Sequence, residues 1–279
     1  MPSFWSVERD GGTVIATCPE ALRYQSDTTP DWMGTCAAAI RDELKLLEIE
    51  AGTLLEATLI GTPPPGADLE NVLLSNVGVP ASQVHAGVRL RRLPPGRAGA
   101  VQRYRRVPIA AVESEESGPL LAAVRVPVID GMELESASAV WLAARQAVVA
   151  QIPEGTEAPP GAVELRVRLT PESERRRGSV ELVKKLLDGV CAAFHVYGGA
   201  NLEEVARRLA LELGGEPESM RALASSPRGA LLGAYDCFWL RGERVQVSPA
   251  DDRIQAAEIA FVSGGVPQIE IELRGLAAE

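Results

Sequence analysis

Asp68, Glu70 and Asn71 stand within four residues, behind a strand-like run and a proline-rich bend. Two carboxylates at i and i+2 followed by an amide, at the start of a helix, form a compact oxygen donor set. Mg²⁺ takes oxygen ligands in octahedral array, usually one or two carboxylates with water and phosphate. An ion held this way activates water and neutralises a phosphodiester transition state. A lysine one turn further on would stabilise the developing oxyanion. The same surroundings return later without those carboxylates. The second occurrence instead carries Lys184 and Asp188, in the run Lys184-Lys185-Leu186-Leu187-Asp188-Gly189, and further on Asp251-Asp252-Arg253-Ile254. In this chemistry a carboxylate pair such as Asp68 and Glu70 would hold metal, an Asp-Asp pair at a strand entrance such as Asp251-Asp252 would supply remaining ligands, and a lysine such as Lys184 would steady the phosphate.

The basic residues that could meet a phosphate backbone are concentrated. Arg89, Arg91, Arg92, Arg97, Arg103, Arg105 and Arg106 put seven arginines into eighteen residues. Such a run is either a charged, solvated strand edge or a phosphate-contacting face. Arg175, Arg176 and Arg177 form a smaller cluster where the second occurrence lacks its carboxylates. They would repel Mg²⁺ but hold a phosphate by bidentate hydrogen bonds.

Each of these residues also has a local role open to it. Asp68 fits a helix N-cap, and Glu70 in a first turn is favoured by the helix dipole alone. Asp251-Asp252 after Pro249 fits a turn, and Lys184-Lys185 fits a solvated helix face. His85 and His195 are isolated, and none of Cys18, Cys36, Cys191 and Cys237 forms a CxxC pair, so no zinc spacing is present. The cysteines are expected reduced and mostly buried.

The elements that must position these groups can be read from periodicity. A helix from Met33 to Leu47, capped by Asp31-Trp32, places Ala37, Ile40, Leu44 and Leu47 at three- and four-residue spacing. Residues 54–60 read as a strand that stops at three prolines. Val72-Leu73-Leu74 reads as a short helix, and residues 88–93 alternate apolar and basic as a strand. Then the order returns: a helix over 138–150, a strand over 163–169 followed by Pro171, and a helix over 181–190. Trp32 to Trp141 is 109 residues, and Glu56 to Glu164 and Pro63 to Pro171 are each 108. Repeated order at repeated spacing points to an internal duplication. Beyond it lie an amphipathic helix over 201–213, with Asn201 as cap and Gly214-Gly215 as stop, a looser stretch over 216–235, and a hairpin around Arg241-Gly242-Glu243. Strands over 254–262 and 269–273 close the chain. Strands and helices mix without a steady βαβ rhythm, which predicts an α+β fold.

Residues 113–118 and 153–161 have linker composition. They divide the chain into a first half over 1–112 and a second over 119–279, the latter with a helical insertion near 195–240. Hydrophobic residues make up 46% of the 279, ample for a core, but aromatics only 4%, so Ala, Leu and Val must do most of the packing. The net charge of −10 is the wrong sign for a general nucleic-acid binder and leaves only a local basic face for that role. No stretch is long and apolar enough to span a membrane, and no secretory leader is evident, which suggests a cytoplasmic protein.

The residues resemble the RusA-type Holliday junction endonucleases, whose pattern is Asp-x-Asp-Asn-x-x-Lys-x-x-x-Asp with a later Asp-Asp before a strand. The first half matches at Asp68, Glu70 and Asn71, with Glu in place of the second Asp and Leu74 in place of the lysine. The second half matches at Lys184, Asp188, Asp251 and Asp252, with Gly178 and Val180 where the first acidic pair would stand and Glu181 at the Asn position. The resemblance implies two related α+β halves packed as a pseudo-dimer, a homodimer being the other arrangement. It implies a Mg²⁺-dependent endonuclease acting on branched DNA, or an inactive homologue that kept the fold as a nucleic-acid-binding or protein-interaction module. The metal site would be split, with Asp68 and Glu70 in one half and Lys184, Asp251 and Asp252 in the other.

Overall fold

A computed structural model describes residues 4–23, 29–64, 68–95, 99–110, 118–128, 134–171, 178–249 and 252–276. The fold is mixed α and β, and it divides into two compact units. Unit 1 comprises residues 1–116, 177–183 and 255–261; unit 2 comprises 117–176, 184–254 and 262–279.

Unit 1 contains β1 (Ser6–Asp10), β2 (Thr13–Cys18), helix α1 (Asp31–Lys45), β3 (Thr53–Ile60), β4 (Gly87–Leu93) and β5 (Ala100–Pro108). Its sheet runs β1-β2-β5-β3-β4 and is antiparallel except for the parallel pair β3 and β4. A strand from far along the chain, β12 (Ile254–Phe261), lies antiparallel on β4, with Glu258 opposite Arg89. Strand alternation sorts this sheet into two faces. Val14, Ala16, Leu55, Ala57, Leu59, Val88, Leu90 and Tyr104 point to the core and are buried. α1 covers that face with Met33, Cys36, Ala37, Ile40 and Leu44, and the Sγ atoms of Cys18 and Cys36 are 3.5 Å apart across the contact. The helix begins two residues earlier than periodicity suggested: Pro30 is its N-cap and Asp31 sits in its first turn, where a carboxylate favours the positive helix end.

Between β3 and β4 the chain makes a π-helical turn (Asn71–Ser75) and a 3₁₀ turn (Ala81–Val84). Val72, Leu73 and Leu74 are fully buried there. The Tyr104 hydroxyl donates to the Leu73 carbonyl at 3.0 Å, which fixes the turn over the core face.

Unit 2 contains β6 (Leu120–Pro127), α2 (Ala137–Gln151), β7 (Val163–Thr170), most of α3 (Val180–Ala193), β8 (His195–Tyr197), α4 (Leu202–Leu213), α5 (Pro217–Ser225) and β9 (Gly233–Tyr235). These are followed by β10 (Phe238–Arg241), β11 (Arg244–Val247) and β13 (Gln268–Gly275). β13 lies antiparallel between β7 and β6. α5 occupies part of the stretch whose composition looked loose, with Pro217 at its first turn. α4 ends as its sequence predicts, at Gly214 in the left-handed region.

Two packing devices in unit 2 are specific. Gly189 lets α3 approach α2 closely, since a Cβ there would lie 2.6 Å from the Val140 side chain. Arg145 of α2 is fully buried. It donates to the carbonyls of Ala193 (2.8 Å), Leu223 (3.1 Å) and Ser226, thereby capping chain ends that helices leave unsatisfied. Burial lowers its pKa to about 10.

A three-strand arrangement recurs in the two units. In unit 1 β2 pairs antiparallel with β5, which pairs antiparallel with β3, and α1 lies between β2 and β3 in sequence. In unit 2 β6 pairs with β13, β13 with β7, and α2 lies between β6 and β7 in sequence. All four cysteines are buried and free. Among the described residues no helix is long and apolar enough to cross a membrane.

Candidate functional site

Asp68 opens the turn that leads to the π-helical segment. Its Oδ1 accepts the Asn71 backbone N–H at 2.7 Å, and its Oδ2 accepts the Asn71 side-chain amide at 2.9 Å. This is N-cap geometry: the carboxylate satisfies a donor that the helix start would otherwise leave open. Glu70 is buried, and its Oε1 lies 2.5 Å from the Ser75 hydroxyl, which donates to it from the end of the same turn. Leu74, at the position of the pattern's lysine, is wholly buried. Both oxygens of Asp68 and one of Glu70 are thus engaged in local bonds. Among the described residues no group of three or more His, Cys, Asp and Glu side chains is placed to hold a metal ion.

In the second unit Lys184 and Asp188 lie one turn apart on α3 and form an ion pair at 3.3 Å, with Asp188 mostly buried. Asp252 is exposed in the turn before β12. Asp251, Arg175, Arg176 and Arg177 lie outside the described residues, as do 113–117 of the first expected linker. Gly178 stands where the pattern's first carboxylate would fall, and it has a physical reason to be glycine. Its φ is +64°, and an added Cβ would lie 2.2 Å from the His85 Cα. No side chain of any kind can occupy that position without moving backbone.

The arginine run divides by parity. Arg92 and Arg106 point to the Tyr104 side of the unit 1 sheet, and Arg106 donates to the carbonyls of Gln83 (2.6 Å) and Thr53 (2.8 Å). Burial lowers the pKa of Arg106. Arg89, Arg91, Arg103 and Arg105 point the other way, to the face that α1 does not cover. Across it runs a row in register, Thr13–Arg105–Glu56–Arg89–Glu258, and beside it a second, Ile15–Arg103–Thr58–Arg91–Ala256.

In the first row the charges are mutually engaged. Glu56 is buried and receives Arg105 at 2.7 Å and Arg89 at 3.6 Å. Arg89 is itself buried, so its cation serves the sheet rather than solvent. Buried ion pairs persist where each charge has its partner in place. In the second row Arg103 is exposed and Arg91 half-exposed. The two rows line a concavity of about 330 Å³ with Asp10, Thr13, Thr58 and Leu93 on its walls. Three guanidinium groups on rigid strands around a shallow hollow can take an oxyanion by forked hydrogen bonds. Arg103 and Arg105 were legible in the sequence as part of the basic run. Their separation from Arg92 and Arg106 follows from period-two alternation, but which face the helix would cover did not.

No protein-family model matches the chain, and no curated protein is detectably similar to it in sequence.

Proposed function

We propose that this chain is a divergent RusA-like protein whose two units are related halves of a pseudo-dimer, and that it binds structured DNA without supplying a complete hydrolytic site of its own. The observation that carries the binding reading is the arginine face of the unit 1 sheet. It gathers Arg91, Arg103 and Arg105 around an open polar hollow in a chain whose net charge is −10. Phosphate neutralisation is the one common task that repays such a local concentration against the overall charge. The three-strand arrangement that recurs in both units supports the reading of two related halves. The local engagement of Asp68 and Glu70 supports binding over cleavage. Cytoplasmic location belongs to the same proposal.

The test is binding and cleavage of a synthetic four-way junction in one series. Wild type should bind the junction at low salt, with an affinity that falls steeply as salt rises. Arg91→Ala with Arg103→Ala should flatten that salt slope by about one to two phosphate contacts. No cleavage is expected with Mg²⁺. Cleavage that Asp68→Asn and Asp252→Asn abolish would reinstate a Mg²⁺-dependent endonuclease. Absence of junction binding at low salt would end the nucleic-acid reading.

A further inference from the structure

The hairpin formed by β10 and β11 belongs to unit 2 and lies outside the acidic and basic motifs discussed above. Its register pairs Phe238 with Val247, Trp239 with Gln246, Leu240 with Val245 and Arg241 with Arg244. Alternation gives it an inner and an outer face. Phe238, Val245 and Val247 are buried. The Phe238 ring stands edge-on to Trp141 at 4.9 Å and lies 5.5 Å from Tyr197. The hairpin is also pinned at its tip, where Arg208 of α4 donates to the Gly242 carbonyl. It closes at its base with Ser248 N–H on the Cys237 carbonyl at 3.0 Å. The outer face is therefore held on a rigid support.

That outer face carries Trp239, Gln246, Arg241 and Arg244. Trp239 is 60% exposed, more than any other described aromatic except Phe4. Arg241 and Arg244 are exposed and stand directly opposite each other, an arrangement that repels in a sheet. Among the described residues neither guanidinium group has a hydrogen bond or ion pair. The nearby Glu204 accepts from Arg207 and Arg208. An indole offered to solvent next to two like-charged guanidinium groups matches one ligand chemistry closely: a planar base to stack on the ring, with phosphates beside it.

We infer that the outer face of the β10–β11 hairpin is a stacking platform for unpaired nucleotides, with Trp239 receiving a base and Arg241 and Arg244 the flanking phosphates. It rests on the proposed nucleic-acid reading and assigns to it a second contact, specific for the single-stranded part of a structured DNA. The chemistry is that of sequence-tolerant single-strand binding, in which each base offers a π face and affinity depends strongly on salt.

The full chain is tested by fluorescence anisotropy against three labelled probes: an oligothymidine, the same backbone with abasic sites, and a duplex. Wild type should prefer the oligothymidine to the abasic strand by about five- to 150-fold, the worth of one stacked base. Trp239→Ala and Trp239→Thr should lose that preference and keep duplex affinity, and Trp239→Phe should restore part of it. Arg241→Ala with Arg244→Ala should weaken both single strands alike. Arg91→Ala with Arg103→Ala should do the reverse of Trp239→Ala, weakening the duplex first. Equal affinity for the thymidine and abasic strands, or an unchanged preference in both Trp239 variants, would overturn the platform while leaving the sheet-face reading intact. Failure of wild type to bind any of the three would overturn both. If the wild type self-associates in sedimentation and Trp239→Ala disperses it without altering DNA affinity, the face is a contact between copies and the inference fails.

Discussion

Replacing Asp68 separates a helix cap from a metal ligand by the sign of the effect. As a cap, Asp68 gives one acceptor to the Asn71 N–H at 2.7 Å and another to the Asn71 amide at 2.9 Å. Removing both in Asp68→Ala should cost about 1 kcal/mol for the N-cap, up to about 2 kcal/mol. Asp68→Asn keeps an uncharged acceptor, and the Asn71 amide can turn to present its oxygen. It therefore loses only the charge assistance, about half the bond strength, or roughly 0.5 kcal/mol. Neither cost depends on Mg²⁺. As a metal ligand the residue would behave in the opposite way. Asp68→Ala would relieve repulsion with Glu70 and leave the metal-free protein as stable or more so. Mg²⁺ at ten times its dissociation constant would stabilise wild type alone, by about 1.4 kcal/mol. Urea unfolding followed by circular dichroism, with and without Mg²⁺, reads both. A variant order of wild type, then Asn, then Ala, unchanged by Mg²⁺, is expected. An alanine variant that matches wild type without metal, or Mg²⁺ stabilisation confined to wild type, refutes the cap account.

Gly178→Asp, which would restore the missing carboxylate of the second half, should fail to fold normally. The strain of a non-glycine residue at φ +64° costs about 1–3 kcal/mol, and the contact with the His85 backbone adds about 1–3 kcal/mol. Gly178→Ala should lose nearly as much in urea unfolding; an alanine variant within about 0.5 kcal/mol of wild type would show that the site tolerates a side chain. Arg145→Met leaves three carbonyls without their donor and should destabilise by about 3 kcal/mol or more. Arg145→Lys should recover only part of this, because an ammonium lacks the fork, and full recovery would contradict the geometry. Glu204 titrates at about 2 instead of 4.5, held down first by hydrogen bonds from Arg207 and then Arg208. A carboxyl depressed in the folded state contributes stability that is complete above 4.5 and is lost as pH falls toward 2. Carboxyl chemical shifts should place its midpoint near the lower value in wild type and near the higher one when both arginines are alanine; equal midpoints would sink the assignment.

How far the sequence carried these conclusions differed by element. The helices over 31–45, 137–151 and 202–213 and the strands β4, β7 and β13 were readable from the period of their sequences, although only β13 among these strands buries one face alone. The pairing of β12 with β4 was not, since it joins segments more than 160 residues apart and periodicity names a face, never a partner. The carboxylates near the first turn were legible as chemistry but not as to which chemistry. A helix cap and a metal ligand both call for a short acid at a helix start, and only the direction of each oxygen decides between them.

The same holds for the basic run. Seven arginines in eighteen residues look like one phosphate-binding surface when read as a string. The sheet divides them, sending Arg92 and Arg106 to one side and Arg89, Arg91, Arg103 and Arg105 to the other. Glu56 then engages Arg89 and Arg105 from the neighbouring strand. A strand arginine can serve a ligand only if its face is open and its guanidinium reaches solvent. Face and exposure, which a string cannot hold, narrow the candidate surface to Arg91, Arg103 and Arg105. This is why a binding variant should begin with Arg91 and Arg103, whereas Arg89→Ala would leave the buried Glu56 short of a countercharge and test stability instead.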